Sequence, residues 1–364
     1  MQKIKLKIVL NLILICLVGF SIIYFAFLKD PYFMGADITQ WQGDWGKLTK
    51  CLAISIENCR VVGLSMFPLG YLINSLFLQF TSFFGVTLKD EMGVINASFL
   101  LFPIVVAVLI HTLTIALRIT ACYLTFLLCS PLPAFYISSG ALEIQAGVLI
   151  GLFISSVHYL SIEKKSSNKS IFYYGLLAVS GLLLPLYKDT NVPILLTALF
   201  LFFGFGIVHQ RKKRKIIPRF KLNLFIVICI TLTISIILIC IYNYLKYESF
   251  LPLTYLNIAN LTKPPLKRSA EFLFFSLFSL NGGLLVFWAL PCCLALILPR
   301  LMGLRIPINI IWFGVTLVGV SLALLALWWV PFGWDSWGNR LIVPSMLASV
   351  IACLLTATPE GILI

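Results

Sequence analysis

Long apolar stretches separated by short polar ones constrain this 364-residue chain more than any other feature of its sequence. Hydrophobic residues make up 60% of the chain and charged residues only 11%. A soluble domain carries roughly a quarter charged residues, because its surface must face water. The sequence therefore predicts an all-α, polytopic transmembrane helical bundle that forms a single domain over residues 1–364.

The chain contains about ten apolar runs of the length that a helix needs to cross a bilayer. The predicted spans are Ile8–Leu28, Val94–Leu117, Ile119–Ile137, Leu142–Leu160, Ile171–Tyr187, Asn191–His209, Leu222–Leu245, Phe272–Leu298, Ile308–Val330 and Leu341–Ala357. The first run is too long for a signal-peptide core and lacks a small-residue cleavage site, so it is predicted to remain as a membrane span.

The net charge of +14 is concentrated in short basic runs between the apolar stretches. Such runs are typical of cytoplasmic loops and do not favour nucleic acid as a partner. Whether Val61–Phe84 crosses the bilayer decides the side on which these loops lie. If it does not cross and the N-terminus is cytoplasmic, the cytoplasmic basic residues are Arg118, Lys164, Lys165, the run Arg211–Lys215, Arg300 and Arg305.

The charge asymmetry therefore predicts that Val61–Phe84 lies in the outer leaflet or only partly enters it. It then belongs to a first outer loop of residues 29–93, and residues 246–271 form a second outer loop. The acidic residues of the chain fall mostly on this outer side. The resulting prediction is an integral membrane protein with a basic inner face and an acidic, aromatic outer face.

The first outer loop holds Asp37 and Asp44 among Trp41, Trp45 and several glycines. A carboxylate at a partly dry interface has a raised proton affinity and can act as a general base. The alternative is a loop whose tryptophans anchor at the lipid headgroups.

Trp337 and Arg340 lie in a tryptophan-rich loop that directly precedes the last span. An arginine fork matches phosphate oxygens, and tryptophan rings stack on sugars or prenyl groups, so this loop suits a lipid-phosphate site. The alternative is an aromatic belt with a snorkelling arginine.

Three further charged residues stand at the outer ends of predicted spans: Glu143, Lys188 and Asp189. Each is open to two interpretations, a structural ion pair or a part of the same outer site. Within the overlong run Phe272–Leu298, the Asn281-Gly282-Gly283 sequence predicts either a break in the helix or a close helix contact.

Several of these segments resemble motifs of the GT-C superfamily, the multi-span glycosyltransferases that use polyprenyl-phosphate sugars. The likeness is closest to the bacterial protein-mannosyltransferase-like, family 39-like branch. The segments that carry it are the loop around Asp37 and Asp44, Met66–Tyr71, Gly140–Glu143, residues 277–285 and residues 334–344. The chain departs from the family pattern where Leu69 replaces a proline and Asn339 replaces the proline before Arg340.

The resemblance implies transfer of a sugar from a polyprenyl-phosphate donor to an acceptor hydroxyl of a glycan, lipid or protein. Asp37 or Asp44 would take the acceptor proton, and Arg340 and Lys188 would neutralise the departing phosphate. It also implies an extracytoplasmic site in a bacterial inner membrane.

Glu143, Asp189 and Trp337 are the further predicted substrate-binding residues. No organic cofactor is expected, and a divalent metal is left open. The rival interpretations are a transporter or flippase of a lipid-linked substrate and a non-catalytic membrane protein.

Overall fold

The computed structural model describes residues 88–132, 142–162, 168–187, 194–201, 222–247, 249–250, 266–280, 283–326 and 340–360. Several predicted features lie outside these residues. They include the first span, Val61–Phe84, most of both outer loops and the basic run Arg211–Lys215.

The described part of the chain is almost entirely helical. Its helices are α1 (Leu88–Ile110), α2 (Leu113–Cys129), α3 (Glu143–Ile162), α4 (Asn168–Tyr187), α5 (Leu222–Tyr247), α6 (Leu266–Phe278), α7 (Leu284–Phe287), α8 (Ala289–Leu301), α9 (Ile308–Ala326) and α10 (Val343–Leu355). Residues 194–201 are also helical, and the 3-10 turn Arg340–Ile342 leads into α10. Two short strands, β1 (Leu304–Arg305) and β2 (Thr358–Pro359), pair antiparallel.

Four helical segments are long and apolar enough to cross a membrane: Glu143–Ile162, Lys169–Tyr187, Asn223–Ile241 and Ile308–Ala326. A helix suits this role because it satisfies its backbone hydrogen bonds internally where lipid offers none. The predictions of an all-α fold and of an integral membrane protein are confirmed at this level. The total of about ten spans stays a prediction.

The boundary between the first two described helices was predicted incorrectly. The sequence predicts it at Arg118, whereas α1 ends at Ile110 and Arg118 lies inside α2. The chain turns earlier because residues far away in the sequence form hydrogen bonds with the end of α1. Lys169 Nζ donates to Ile110 O at 2.9 Å, and His111 Nε2 lies 3.1 Å from Leu355 O.

Of the two alternatives predicted for the run Phe272–Leu298, a break or a close helix contact, the structure shows the break. Helix α6 ends at Phe278, and α7 begins at Leu284. Gly283 donates its backbone N–H to Ser279 O at 2.8 Å. A Cβ at Gly283 would lie only 2.5 Å from that same oxygen, so the break requires glycine at this position.

Helices α3 and α10 run parallel and form the centre of the bundle. A Cβ on Gly147 would lie 3.0 Å from Leu347 Cβ, and one on Gly151 would lie 2.7 Å from Ile351 Cβ. Two glycines four residues apart let neighbouring helix backbones approach closely, as membrane helices often do. Nearly every residue of α10 is buried as a result.

The remaining helices surround this pair in alternating directions. Helix α4 is antiparallel to α3, since Tyr159 stacks on Tyr173 at 3.8 Å. Helix α9 is antiparallel to α10, with a 2.6 Å hydrogen bond between the hydroxyls of Ser321 and Ser345.

The bundle therefore has two ends. The Glu143 end contains the starts of α1 and α3, the ends of α2, α4 and α9, and the turn at Arg340. The His111 end contains the opposite termini of these helices, the end of α8 and the two strands. The start of α6 also lies at the Glu143 end, because Ser269 Oγ donates to Ala326 O at the end of α9 at 2.7 Å. Arg118, Arg300 and Arg305 all lie at the His111 end. The side of the membrane that this end faces stays a prediction.

Candidate functional site

Glu143 opens α3, and its side chain is only 4% exposed. A carboxylate in the first helical turn is stabilised by the positive end of the helix dipole. Ala146 donates its backbone N–H to Leu142 O at 2.9 Å, so the helix is already formed around Glu143. The predicted acid is therefore held on a rigid helix start.

Arg340 begins the 3-10 turn that continues directly into α10. Pro344 occupies the first turn of that helix, where a missing N–H has no hydrogen-bonding cost. The proline therefore favours the start of a helix at this point. Arg340 lies about one turn before the first buried residues of α10.

The contact between α3 and α10 sets Glu143 and Arg340 at the same level. A Cβ on Gly147 would lie 3.1 Å from both Pro344 Cα and Pro344 O. Glu143 lies four residues before Gly147, and Arg340 lies four residues before Pro344, which is about one helical turn in each case. Glu143 thus begins α3, and Arg340 directly precedes the start of the parallel, adjacent helix α10.

A buried polar layer lies next to this level, and the sequence analysis missed it. Gln145 Nε2 donates to Asn96 Oδ1 at 3.2 Å, and both side chains are 0% exposed. Tyr187, the last residue of α4, is also 0% exposed and meets Phe99 edge-on at 6.0 Å. The sequence did contain a signal for this layer. Asn96 and Gln145 are amide residues within apolar runs, and buried polar groups need hydrogen-bond partners.

Tyr187 also shows where the chain leaves α4. It ends that helix at the Glu143 end, and Lys188 and Asp189 follow it directly in the sequence. Lys188 and Asp189 themselves lie outside the described residues, as do Asp37, Asp44 and Trp337. The structure places Glu143 and the backbone of Arg340 at about the same level of the bundle, and the places of the other five residues stay predictions.

Within the described residues, no group of three or more His, Cys, Asp or Glu side chains could hold a metal ion. Asp37 and Asp44 are not among those residues, so metal dependence stays open.

Glu143 is thus buried at the same end of the bundle as Asn96, Gln145 and Tyr187. Comparison with protein-family models, curated proteins and solved structures gives no match to this chain. The resemblance to the GT-C superfamily therefore stays a prediction from sequence motifs.

Proposed function

We propose that this protein is a membrane glycosyltransferase that moves a sugar from a polyprenyl-phosphate donor to an acceptor hydroxyl. The observation that carries the proposal is the common level of Glu143 and Arg340 on two tightly packed parallel helices. A polyprenyl-phosphate sugar offers a phosphate to the base and hydroxyls to the acid, at the depth where the lipid tail enters the membrane.

In the proposed reaction the acceptor oxygen attacks the anomeric carbon of the sugar. The bond between that carbon and the phosphate oxygen breaks, and polyprenyl phosphate departs. Asp37, or alternatively Asp44, takes the proton of the acceptor hydroxyl. Arg340 and Lys188 neutralise the charge that grows on the leaving phosphate, which is where electrostatic catalysis gains most.

Glu143 has two roles in this proposal. Its carboxylate accepts hydrogen bonds from sugar hydroxyls, and its negative charge complements that of Arg340 on the neighbouring helix. Asp189 and Trp337 complete the sugar-binding side. We also propose that the protein lies in a bacterial inner membrane with this end on the extracytoplasmic side. The acceptor is a hydroxyl of a glycan, lipid or protein.

A second candidate function, transport or flipping of a lipid-linked substrate, is favoured by one observation. The run between α6 and α8 is interrupted at residues 279–283, and transporters often use broken helices. Transporters also place ionisable groups near the bilayer midplane. Among the described residues, Glu143, Arg118 and Arg300 instead lie within about two turns of a helix end. We therefore prefer the transferase.

The deciding experiment incubates the purified protein in detergent with a polyprenyl-phosphate hexose and a mixture of glycan acceptors. Release of polyprenyl phosphate, measured by chromatography, is expected for the native chain. Asp37→Asn should reduce the rate by about 10²–10⁴, the usual cost of losing a general base.

Asp44→Asn serves as the matched control, because it makes the same change in the same loop. Full loss in Asp44→Asn with normal turnover in Asp37→Asn would assign the base to Asp44. Wild-type turnover in both variants would exclude the loop as the catalytic centre. Movement of the donor across a vesicle bilayer without release of phosphate would favour the flippase.

A further inference from the structure

The connection between α8 and α9 at the His111 end is a tight, well-fixed turn. Gly303 adopts a left-handed backbone conformation with φ +69°. This conformation commonly ends a helix and favours glycine, which has no Cβ to clash. The turn reverses the chain between Arg300 in the last turn of α8 and Arg305 in β1.

Contacts from two other parts of the chain hold this turn in place. Arg118 Nη1 donates to Met302 O at 2.7 Å. On the other side, Glu360 donates its backbone N–H to Gly303 O at 2.9 Å, and β2 pairs with β1. The turn is thus clamped between α2 and the segment that follows α10, so its shape is preorganised.

Three arginines surround this clamped turn: Arg118, Arg300 and Arg305. All three side chains are exposed. Within the described part of the chain, none of them forms a salt bridge, whereas Lys267 and Glu271 pair at 4.0 Å at the opposite end. Each guanidinium therefore keeps N–H donors for a ligand, and guanidinium forks match phosphate oxygens.

Exposed apolar side chains lie directly beside these arginines. Leu301, next to Arg300, is 76% exposed, and Leu117, next to Arg118, is 46% exposed. Ile297, one turn from Leu301 on α8, is 53% exposed. A ligand with a phosphate and an acyl chain could contact both the arginines and the apolar side chains beside them. A soluble phosphate would contact only the arginines.

We propose that Arg118, Arg300 and Arg305 form a binding site for the headgroup phosphate of an anionic phospholipid. The acyl chains of that lipid lie along the exposed leucine and isoleucine side chains of α2 and α8. Basic clusters at helix ends attract anionic lipids in this way. This site is at the opposite end from Glu143 and does not depend on the proposed transferase activity.

The test measures thermal unfolding of the full chain in neutral detergent micelles. Phosphatidylglycerol is added in one series and phosphatidylcholine, with the same acyl chains, in another. Phosphatidylglycerol should raise the Tm of the native protein by several degrees more than phosphatidylcholine, because a ligand that binds only the folded state stabilises it. The double variant Arg300→Gln/Arg305→Gln should lose most of that difference.

The matched control is Lys267→Gln/Arg268→Gln, which removes the same charge from exposed positions at the Glu143 end. It should respond to phosphatidylglycerol as the native protein does. The single variant Arg300→Gln leaves β1 intact and should show an intermediate response. An unchanged response in Arg300→Gln and in the double variant would overturn the proposal. An equal effect of soluble glycerol phosphate would also overturn it, because the site would then not require a lipid.

Discussion

At the residue scale, the buried position of the Glu143 carboxylate has a free-energy cost that other groups must offset. Its side chain is 4% exposed on a helix that is otherwise apolar. Burying a carboxylate costs free energy unless other groups compensate. The start of α3 supplies part of that compensation through its dipole. The backbone of Arg340 lies at about the same level, and Arg340 is the residue that the proposed function pairs with Glu143.

The first residue-scale prediction concerns Arg340, the proposed donor-phosphate contact. Arg340→Lys should lower kcat roughly tenfold, because a lysine provides a point charge and not a fork. Arg340→Ala should lower it by about 10² or more. Both defects should appear in kcat as well as in the donor KM, if the contact tightens in the transition state.

A snorkelling anchor at Arg340 predicts a different pattern. Arg340→Lys would then keep the native rate, and Arg340→Ala would lower the Tm without lowering turnover. Kinetics and thermal unfolding measured on the same two variants distinguish these outcomes.

The second residue-scale prediction concerns pH and His111. Burial lowers the pKa of His111; the hydrogen bond to Leu355 O opposes this, and the nearby charge of Lys169 lowers the pKa further. Because the folded pKa is below the ordinary value of about 6.5, the unfolded chain binds more protons as the pH falls. The contribution of His111 to the free energy of unfolding is therefore fully present above about pH 6.5 and decreases as the pH falls below that value.

Lowering the pH from about 7.5 to about 5.5 should thus reduce the Tm of the native protein more than that of His111→Gln. Glutamine is uncharged at both pH values and keeps a donor for Leu355 O. Equal pH slopes in the two proteins would show that His111 does not contribute to the pH dependence.

At the element scale, the pairing of α3 with α10 is the contact on which the candidate site depends. A Cβ on Gly151 would lie 2.7 Å from Ile351 Cβ and 3.2 Å from Ala348 O. The two helices would have to separate to accept it. Any such separation also increases the distance between the start of α3 and the start of α10.

Gly151→Ala should therefore destabilise the protein by about 1–3 kcal/mol, the usual cost of overpacking. Gly175→Ala on α4 is the matched control, because a Cβ there meets nothing within 4 Å. Alanine favours helix by up to about 1 kcal/mol, so the control should be neutral or stabilising. Chemical denaturation of both variants measures the difference. Equal effects would contradict the close contact between α3 and α10.

At the scale of the whole molecule, the two ends of the bundle differ in charge and in proposed role. The His111 end contains Arg118, Arg300 and Arg305, and the Glu143 end contains the candidate site. The positive-inside rule predicts that the arginine-rich end faces the cytoplasm. The basic run Arg211–Lys215 should then also be cytoplasmic.

Cysteine labelling in intact cells tests this topology, on a background without native cysteines. An impermeant reagent should label Lys267→Cys, whose parent side chain is 88% exposed at the Glu143 end. The same reagent should not label Lys213→Cys. The reverse pattern would invert the topology, and the proposed extracytoplasmic site would then be untenable.

The sequence by itself determined the class of this protein and the positions of most helices, and it predicted either a break or a close helix contact around Gly283. Apolar runs of sufficient length must form helices in lipid, because no other local structure satisfies the backbone there. The break could be predicted because adjacent glycines and an asparagine interrupt a run that is too long for one span. Glu143 could be identified because a single carboxylate beside an apolar run is conspicuous.

Only the tertiary structure decided the end of α1, the level shared by Glu143 and Arg340, and the arginine cluster around Gly303. Each depends on contacts between residues far apart in the chain: His111 lies 244 positions from Leu355, and Arg118 lies 184 from Met302. The buried pair Asn96 and Gln145 is 49 positions apart and could not be paired from the sequence. The pattern of apolar residues specifies which segments become helices, but close packing between their surfaces specifies which helices meet and at what level.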